Sequence, residues 1–358
     1  MPERPQRRRA LTARFQKLEV DALLVSFLPN VRYLTGFTGS NAILAMAPDA
    51  AVMVTDQRYQ IQASQQVDCD WKVPPGSLWD AAAGWCKRRK SKRVGVEAAR
   101  VTLEQQSTLA NKLGVGIKII GVGREVETIR MVKSPGEIDA ICQSVQINSM
   151  AYAAALARFR AGMSERELAA EIDYQMRRSG ADQTAFDTIV ASGERSALPH
   201  ARPTSAPIES NRLLLIDMGA LCEGYASDMT RVVVPGRITA EAKRLYQAVL
   251  EAQLAAIDAV SPGVKAVEID RTARQVLKKH SLDDYFKHST GHGLGLEIHE
   301  APRLGKHEKL RLQAGMVITI EPGVYKEGLG GVRIEDTVLV TETGCRILTP
   351  TEKKLVAI

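Results

Sequence analysis

A faint internal repeat in the second part of the chain constrains the fold more than any single motif. The segment AGMSERELAAEI at 161–172 follows one long predicted helix, and PGVKAVEIDRTA at 262–273 follows another. Gly162 aligns with Gly263 and Glu167 with Glu268, both at an offset of 101 positions. A repeat of this kind requires two copies of one supersecondary unit that pack together. We therefore predict one large domain built of two similar halves.

Each half continues into a pair of strand-like runs that carry two acids. Asp217 and Asp228 lie 11 residues apart in the first pair, and Glu321 and Glu335 lie 14 apart in the second. The corresponding acids of the two halves are offset by 104 and 107 positions, close to the offset of the helices. If the halves face each other, the four carboxylates meet between them.

These acids stand in apolar runs, LLLID, SDMTRVVV, VITIE and RIEDTVLV. Burying one carboxylate costs several kcal/mol unless positive charge lies beside it. A structural salt-bridge network through Arg231 or Arg333 is one explanation. The other is a pair of divalent cations such as Mn²⁺, Fe²⁺, Co²⁺ or Zn²⁺, for which carboxylate and imidazole ligands are suited. Residue spacing alone leaves both explanations open.

The stretch HSTGHGLGLEIHE at 288–300 places three of the six histidines of the chain close together. His288 and His292 have the spacing of a helical zinc motif, but the stretch lacks its glutamate, and three glycines disfavour a helix. We predict a glycine-rich turn that brings its histidines to the acids. His200, upstream of the first acid pair, either joins them or is an exposed loop residue. His280 and His307 are predicted to be surface residues.

Residues before about 125 alternate short apolar runs with longer polar segments of helical pattern, which predicts a small α/β domain. Ser134-Pro-Gly-Glu137 then gives the signature of a helix start, with a capping serine, a proline and a glutamate. We predict a first domain over 1–125, a linker over 126–134 and a second, α+β domain over 135–358.

Composition excludes several classes of protein. Apolar residues make up 45% of the chain and charged residues 25%, as in globular proteins. No apolar run reaches the roughly 18 residues of a membrane span, and the start of the chain lacks a signal-peptide pattern, so a cytoplasmic location is predicted. The net charge of +7 is concentrated in the first nine residues and in KRRKSKR at 87–93, without interleaved aromatics. No nucleic-acid or membrane partner is predicted.

Several motifs together resemble the pita-bread metallopeptidases, in the branch of Xaa-Pro aminopeptidases and prolidases. They are YASDMTR at 225–231, HSTGHG at 288–293, IHE at 298–300, IEPG at 320–323 and GVRIED at 331–336. NVRYLTGFTGSNA at 30–42 and VKSPGEID at 132–139 extend the likeness over almost the whole chain. The resemblance implies a creatinase-like α/β N-terminal domain followed by a pita-bread catalytic domain with an internal pseudo-two-fold repeat.

The resemblance also implies two divalent metal ions per subunit, with Mn²⁺ as the first expectation and Co²⁺ or Zn²⁺ as alternatives. Asp217 matches a ligand of one metal, and Asp228 and Glu335 match the acids that bridge both. His292 and Glu321 match the ligands of the second metal. All five matching residues are present, whereas relatives that serve as non-catalytic binding modules would be expected to have lost ligands.

The remaining site residues have roles implied by the same resemblance. His200 and His299 would flank the scissile peptide bond and stabilise the tetrahedral intermediate or transfer protons. His288 would contact the substrate near the proline carbonyl. Arg333 and Tyr325 match positions that shape the site. Glu321 would also share the proton of a bridging water.

The function expected first is therefore that of an Xaa-Pro aminopeptidase, which removes the residue before a proline at the second position of a peptide. A metal-bridging hydroxide would be the nucleophile. The alternative is a prolidase, which cleaves only Xaa-Pro dipeptides. The family resemblance further implies a homodimer, in which the first domain of one subunit walls the active-site cleft of its partner.

Overall fold

A computed structural model describes residues 3–358 of the chain. The chain divides into two compact units, one ending at Arg130 and the other beginning at Met131. Each unit has its own buried apolar core. Among the described residues, no helix is long and apolar enough to cross a membrane.

The first unit is built on one six-stranded sheet with helices around it. Its strands are β1 (Ala22–Val25), β2 (Ala42–Ala47), β3 (Ala50–Thr55), β4 (Asp70–Lys72), β5 (Arg93–Glu97) and β6 (Lys118–Val122). Its helices are α1 (Glu3–Thr12), α2 (Leu28–Thr35), α3 (Gln60–Gln66), α4 (Leu78–Arg88), α5 (Leu103–Leu113) and α6 (Glu125–Arg130).

The sheet of the first unit has the order β4-β3-β2-β1-β5-β6. The central strands β1 and β2 are buried along their whole length, as expected for continuous apolar runs such as AILAMA. Strands β1 and β2 pair antiparallel, whereas β1 and β5 pair parallel, so the sheet is mixed. The α/β character predicted for this part of the chain is confirmed.

The boundary between the two units lies close to the predicted linker. Helix α6 occupies part of the segment 126–134 that was predicted as linker, and the units divide directly after it. The limits 1–125, 126–134 and 135–358 stay a prediction.

The second unit combines four long helices with short antiparallel sheets. Its helices are α7 (Pro135–Leu156), α8 (Glu165–Arg178), α9 (Ala240–Asp258) and α10 (Ala266–Lys279). Helix α7 begins as predicted, because Ser134 and Glu137 form a reciprocal capping box that satisfies the free amides of its first turn. The predicted helix start at this position is confirmed.

The strands of the second unit form two three-stranded sheets, one five-stranded sheet and one pair. They are β7 (Gln183–Thr184), β8 (Ile189–Ser192), β9 (Leu214–Met218), β10 (Ala220–Cys222), β11 (Tyr225–Ala226), β12 (Met229–Val233), β13 (Gly291–Gly293), β14 (Glu300–Leu304), β15 (Val317–Ile320), β16 (Gly323–Lys326), β17 (Gly330–Arg333), β18 (Asp336–Val340) and β19 (Cys345–Ile347). Short 3-10 turns occur at Gln57–Tyr59, Gly193–Ala197 and Asp283–Tyr285.

The structure reproduces the internal repeat. Gly162 and Gly263 both adopt positive φ angles, 89° and 86°, and each lies three residues before a helix, α8 or α10. A non-glycine residue is strained in this region, which explains why both copies have glycine there. The antiparallel pair β9 and β12 in the first half corresponds to the antiparallel pair β15 and β18 in the second.

Candidate metal centre

The four acids lie where the strands of the two hairpins bring them together. Asp217 lies in β9, and Asp228 immediately precedes β12. Glu321 immediately follows β15, and Glu335 immediately precedes β18. Asp228, His292 and Glu335 each offer a ligand atom, and these three atoms lie within 4.8 Å of one another.

His292 connects this cluster to the second hairpin. Its Nε2 lies 3.6 Å from Oδ2 of Asp228 and 3.4 Å from Oε1 of Glu321. Its Nδ1 lies 3.0 Å from the carbonyl oxygen of Gly293. A carbonyl oxygen only accepts, so Nδ1 carries the proton and Nε2 presents its lone pair to the acids. This is the tautomer that a metal ligand requires.

Gly291 and Gly293 lie in a strand, which corrects the predicted glycine-rich turn at His292, whereas the chain bends over 295–299, beginning at Gly295. Strand β13 pairs with both β14 and β15. A Cβ at Gly291 would lie 1.9 Å from the carbonyl oxygen of Thr319, and one at Gly293 would lie 2.3 Å from that of Ala301. The glycines therefore permit neighbouring backbones to approach closely, and this close pairing fixes the position of His292.

The pKa values in the cluster reflect four carboxylates in a buried space. Burial raises the pKa of Asp228 well above its ordinary value, and the charge of Glu335 raises it further. Burial likewise raises the pKa of Glu335, followed by the charge of Glu321. The pKa of Glu321 is raised to about 7, again mainly by burial. The protein alone therefore does not favour ionisation of all these groups together.

Asp217 shows a second sign that the cluster is arranged for cations. Its Oδ2 accepts a hydrogen bond from Nη2 of Arg333 at 2.5 Å, but its Oδ1 is buried without a hydrogen-bond partner. A buried acceptor left unpaired is costly, and a cation satisfies it. The carboxylate and imidazole set, the tautomer of His292 and this unpaired oxygen all fit divalent metal ions.

Two threonines orient the acids through hydrogen bonds. Thr230 donates its hydroxyl to Oε2 of Glu335 at 2.7 Å, and Thr319 donates to Oε1 of Glu321 at 3.2 Å. Thr230 in turn accepts from Nε of Arg333 at 3.0 Å. Sequence reasoning did not identify either threonine, although both stand in the apolar strands that lead to the acids.

Arg333, Tyr325 and His288 form a hydrogen-bonded chain beside the acids. Nη1 of Arg333 donates to the hydroxyl of Tyr325 at 2.6 Å, and this hydroxyl lies 2.9 Å from Nε2 of His288. Nδ1 of His288 lies 2.8 Å from the carbonyl oxygen of Ser289, to which it must donate. Burial and then the charge of Arg333 lower the pKa of His288 to about 4, so the imidazole is neutral at pH 7. Both of its ring nitrogens have protein partners.

His299 and His200 lie at the exposed margin of the site. The ring of His299 lies 4.5 Å from that of His292, centroid to centroid, and its pKa is lowered by partial desolvation and then by His292. His200 is exposed, and its charge contributes to the pKa values of His288, His299 and Glu321. His200 therefore lies within electrostatic range of Glu321, and its role stays a prediction.

A basic cleft of about 430 Å³ lies beside His288. It is lined by Arg274, Lys287, His288, Ser289, Arg303, Gly305, Lys306, His307 and Glu308. Arg303 is exposed and lies opposite His292 in the pairing of β13 with β14. Sequence reasoning did not identify Arg303, because no local pattern distinguishes it from other exposed arginines. Its position depends on strand pairing.

Comparisons with known proteins agree with this geometry. Residues 139–342 match the model of metallopeptidase family M24, and residues 7–132 match the creatinase/prolidase N-terminal domain. The chain belongs to metallopeptidase family M24. The predicted fold class, an α/β N-terminal domain followed by a pita-bread α+β domain, is confirmed, and so is the prediction of a metal-dependent hydrolase.

Individual relatives match over nearly their whole length. An Xaa-Pro dipeptidase of Pyrococcus furiosus is 37% identical over 338 residues, which cover 94% of this chain and 95% of the relative. The solved Xaa-Pro dipeptidase from Bacillus anthracis is 34% identical with a TM-score of 0.97, over 99% of this chain and 100% of that one. The solved X-Pro aminopeptidase from Thermotoga maritima is 37% identical with a TM-score of 0.91, over 96% and 100%.

Proposed function

We propose that the protein is an Xaa-Pro dipeptidase, a prolidase. Sequence analysis gave the aminopeptidase as the first expectation and the prolidase as the alternative. The comparisons support the alternative better, because relatives similar over almost the whole chain are named Xaa-Pro dipeptidases. Xaa-Pro aminopeptidase activity is the second candidate function, because the similar T. maritima protein is named an X-Pro aminopeptidase.

The basic cleft beside His288 is the observation that carries the proposal. In an Xaa-Pro dipeptide, only one residue, about 3.6 Å of chain, separates the scissile bond from the free carboxylate. A dipeptidase therefore needs a cation very close to its metal centre. Arg303 meets this requirement, because it lies opposite His292 in adjacent strands and lines the cleft with Lys287 and Lys306. A guanidinium is well suited to bind a carboxylate through two hydrogen bonds.

The acid cluster would hold the metal ions of the reaction. We assign Asp217, Asp228, His292, Glu321 and Glu335 as their ligands, with Mn²⁺ first and Co²⁺ or Zn²⁺ as alternatives. Two such ions, when bound, lower the pKa of a water molecule and polarise a carbonyl group. Thr230 and Thr319 would keep the two glutamates oriented, since they already hydrogen-bond to them.

The protein groups around this centre would position the peptide and transfer protons. His299 and His200, at the margin, would donate a hydrogen bond to the developing oxyanion or a proton to the leaving proline nitrogen. His288 would contact the proline through its ring, because both of its nitrogens already have partners. Arg333 would hold Asp217 and Tyr325 in place.

The test compares four substrates with the metal-reconstituted protein: Ala-Pro, Ala-Pro amide, Ala-Pro-Ala and Ala-Ala. We expect kcat/KM for Ala-Pro to exceed that for Ala-Pro amide and Ala-Pro-Ala by at least about tenfold, since a bound carboxylate contributes roughly 1.5 to 3 kcal/mol. Ala-Ala keeps the carboxylate but lacks the proline ring, and its cleavage should also be slower than that of Ala-Pro. Arg303→Ala should raise KM for Ala-Pro and reduce the preference over the amide. Arg303→Lys should preserve much of this preference. Arg311→Ala, which changes an exposed arginine that does not line the cleft, should leave it unchanged.

Two results would contradict the proposal in different ways. Equal or faster cleavage of Ala-Pro-Ala would assign the protein as an aminopeptidase. Cleavage of Ala-Ala at the same rate as Ala-Pro would show that the protein has no specificity for proline. The predicted homodimer and cytoplasmic location stay predictions, and light scattering in solution measures the first of them.

A further inference from the structure

We propose that Glu165 is a positioning residue that closes the base of the loop carrying His200. This inference rests on the proposed function, because it gives His200 a part in peptide hydrolysis. The loop, called the His200 loop below, runs from Ser192 to Thr204 and includes the 3-10 turn Gly193–Ala197.

The carboxylate of Glu165 hydrogen-bonds to both ends of the His200 loop. At the first end, Oε1 accepts from the backbone N–H of Ser192 at 2.8 Å and from Nε of Arg195 at 3.1 Å. At the second end, Oε2 accepts from the backbone N–H of Thr204 at 3.0 Å and from its hydroxyl at 2.8 Å. One side chain therefore joins two points that are 12 residues apart in sequence.

A second contact connects the two sides of the His200 loop. Nη2 of Arg195 donates to the carbonyl oxygen of Arg202 at 2.6 Å. The guanidinium thus contacts Glu165 on one side and the returning chain on the other. Since His200 lies between Arg195 and Arg202, its segment is enclosed by these contacts.

The outer part of the loop contacts the site through other residues. The hydroxyl of Ser196 accepts from the backbone N–H of Gly331 at 2.8 Å, and the carbonyl oxygen of Pro199 accepts from Nη1 of Arg333 at 3.2 Å. Arg333 also contacts Asp217. The residue next to His200 is therefore connected to the metal centre, whereas Glu165 fixes the opposite end of the loop.

Helix capping does not account for Glu165. It stands in the first turn of α8, where the N–H groups of Ser164 and Glu167 are satisfied by their reciprocal capping pair. The N–H groups of Glu165 and Arg166 donate to the carbonyl oxygens of Ala206 and Thr204, so the Glu165 carboxylate is not needed to cap the helix. Glu165 is fully buried, with a relative exposure of 0%, and burying a carboxylate is costly unless it is well paired. Its carboxylate hydrogen-bonds to Ser192, Arg195 and Thr204, all of them on the His200 loop.

Glu165→Gln tests the proposal, with Glu167→Gln as the matched control on the same helical turn. Glutamine has one acceptor oxygen and cannot bind both ends of the loop. In Glu165→Gln we expect faster hydrogen exchange across 193–206 and faster trypsin cleavage after Arg195. Both should stay at the wild-type level in Glu167→Gln. Thr204→Val, which removes one donor, should give a smaller effect of the same kind and serves if Glu165→Gln fails to fold.

Kinetics distinguishes positioning from general stability. We expect kcat for Ala-Pro to fall about 10- to 100-fold in Glu165→Gln, the range typical of residues that orient functional groups, with an unchanged metal content. In a His200→Ala background, Glu165→Gln should reduce kcat little further, because the two residues act through one group.

Several outcomes would overturn the inference. They are a full further loss of kcat in the double variant, unchanged exchange across 193–206, or equal effects of Glu165→Gln and Glu167→Gln. If the wild-type protein does not cleave Ala-Pro, the proposed function fails, whereas the exchange comparison still decides whether Glu165 closes the loop.

Discussion

The acids of the cluster face one another in a buried space, an arrangement that bound cations would stabilise. Asp228, Glu321 and Glu335 have raised pKa values because they are buried and face each other. Arg333 is the guanidinium that contacts Asp217, and it leaves Oδ1 of that acid unpaired. Bound divalent ions would satisfy these oxygens and remove the repulsion.

Asp228→Asn tests two consequences of this arrangement, the binding of metal ions and the repulsion between carboxylates in the metal-free protein. We expect loss of metal binding and of activity together, because Asp228 contributes a ligand atom at the centre of the cluster. The metal-free variant should unfold about 2 to 4 °C higher than the metal-free wild type, since about 1 kcal/mol of buried repulsion is removed. Metal analysis and calorimetry after chelation measure both.

The control for this variant is Glu342→Gln, which changes an exposed carboxylate. It should leave metal content, activity and the unfolding temperature unchanged. An Asp228→Asn protein that keeps its full metal content and turnover would contradict the assignment of Asp228 as a ligand.

His299→Ala should retain the metal ions and lose turnover. His299 lies beside His292 without contributing to the group of close ligand atoms, so its loss should remove only proton transfer or oxyanion stabilisation. The expected fall in kcat is about 10²- to 10⁴-fold. His280→Ala, which changes an exposed histidine paired with Glu251, is the control. Loss of metal from His299→Ala would instead assign it as a ligand.

Strands and turns bring the residues of the site together, and the sequence predicted only part of this arrangement. The acids in LLLID and VITIE indicated two hairpins because apolar runs interrupted by a carboxylate are conspicuous. Glu165 gave no such signal, since an acid in the first helical turn is ordinary. Its partners Ser192 and Thr204 lie 27 and 39 positions away and come together only through the fold. Arg303 likewise gave no local signal, because its position opposite His292 depends on strand pairing.

Gly331→Ala should destabilise the contact between β17 and the His200 loop. A Cβ at Gly331 would lie 2.1 Å from the carbonyl oxygen of Ser196, and backbone must move to accept it. We expect a loss of about 1 to 3 kcal/mol in the free energy of unfolding, as for other overpacked sites. Gly344→Ala, with nothing within 4 Å of the new Cβ, should change it by less than about 0.5 kcal/mol. Equal unfolding midpoints in urea for the two variants would argue against this contact.

Glu97→Gln should destabilise the first unit. The carboxylate of Glu97 accepts hydrogen bonds from the backbone N–H groups of Ser26 and Phe27 and from the side-chain amide of Asn30. A glutamine would turn a donor towards one of these donors, at a cost of about 1 to 3 kcal/mol.

Tryptophan fluorescence measures this change directly. The three tryptophans, Trp71, Trp79 and Trp85, all belong to the first unit. Glu104→Gln, an exposed substitution in α5, is the control. A Glu97→Gln protein with the wild-type urea midpoint would show that these hydrogen bonds contribute little.

At the scale of the whole molecule, the fold of the second unit follows from the repeat more than from any single motif. The aligned glycines Gly162 and Gly263, the helices after them and the two antiparallel hairpins all recur in the structure. The sequence predicted this duplication and the meeting of the acids. It did not predict that the histidine stretch forms strand β13, because that depends on close pairing with β14 and β15.

Titration of metal into the chelated protein tests the central claim most directly. The initial rate of Ala-Pro hydrolysis is measured against equivalents of Mn²⁺ per subunit. The five proposed ligands predict almost no activity without metal and a rate that reaches its maximum at about two equivalents. Full activity in the metal-free protein, or activity that is independent of added metal, would contradict the account.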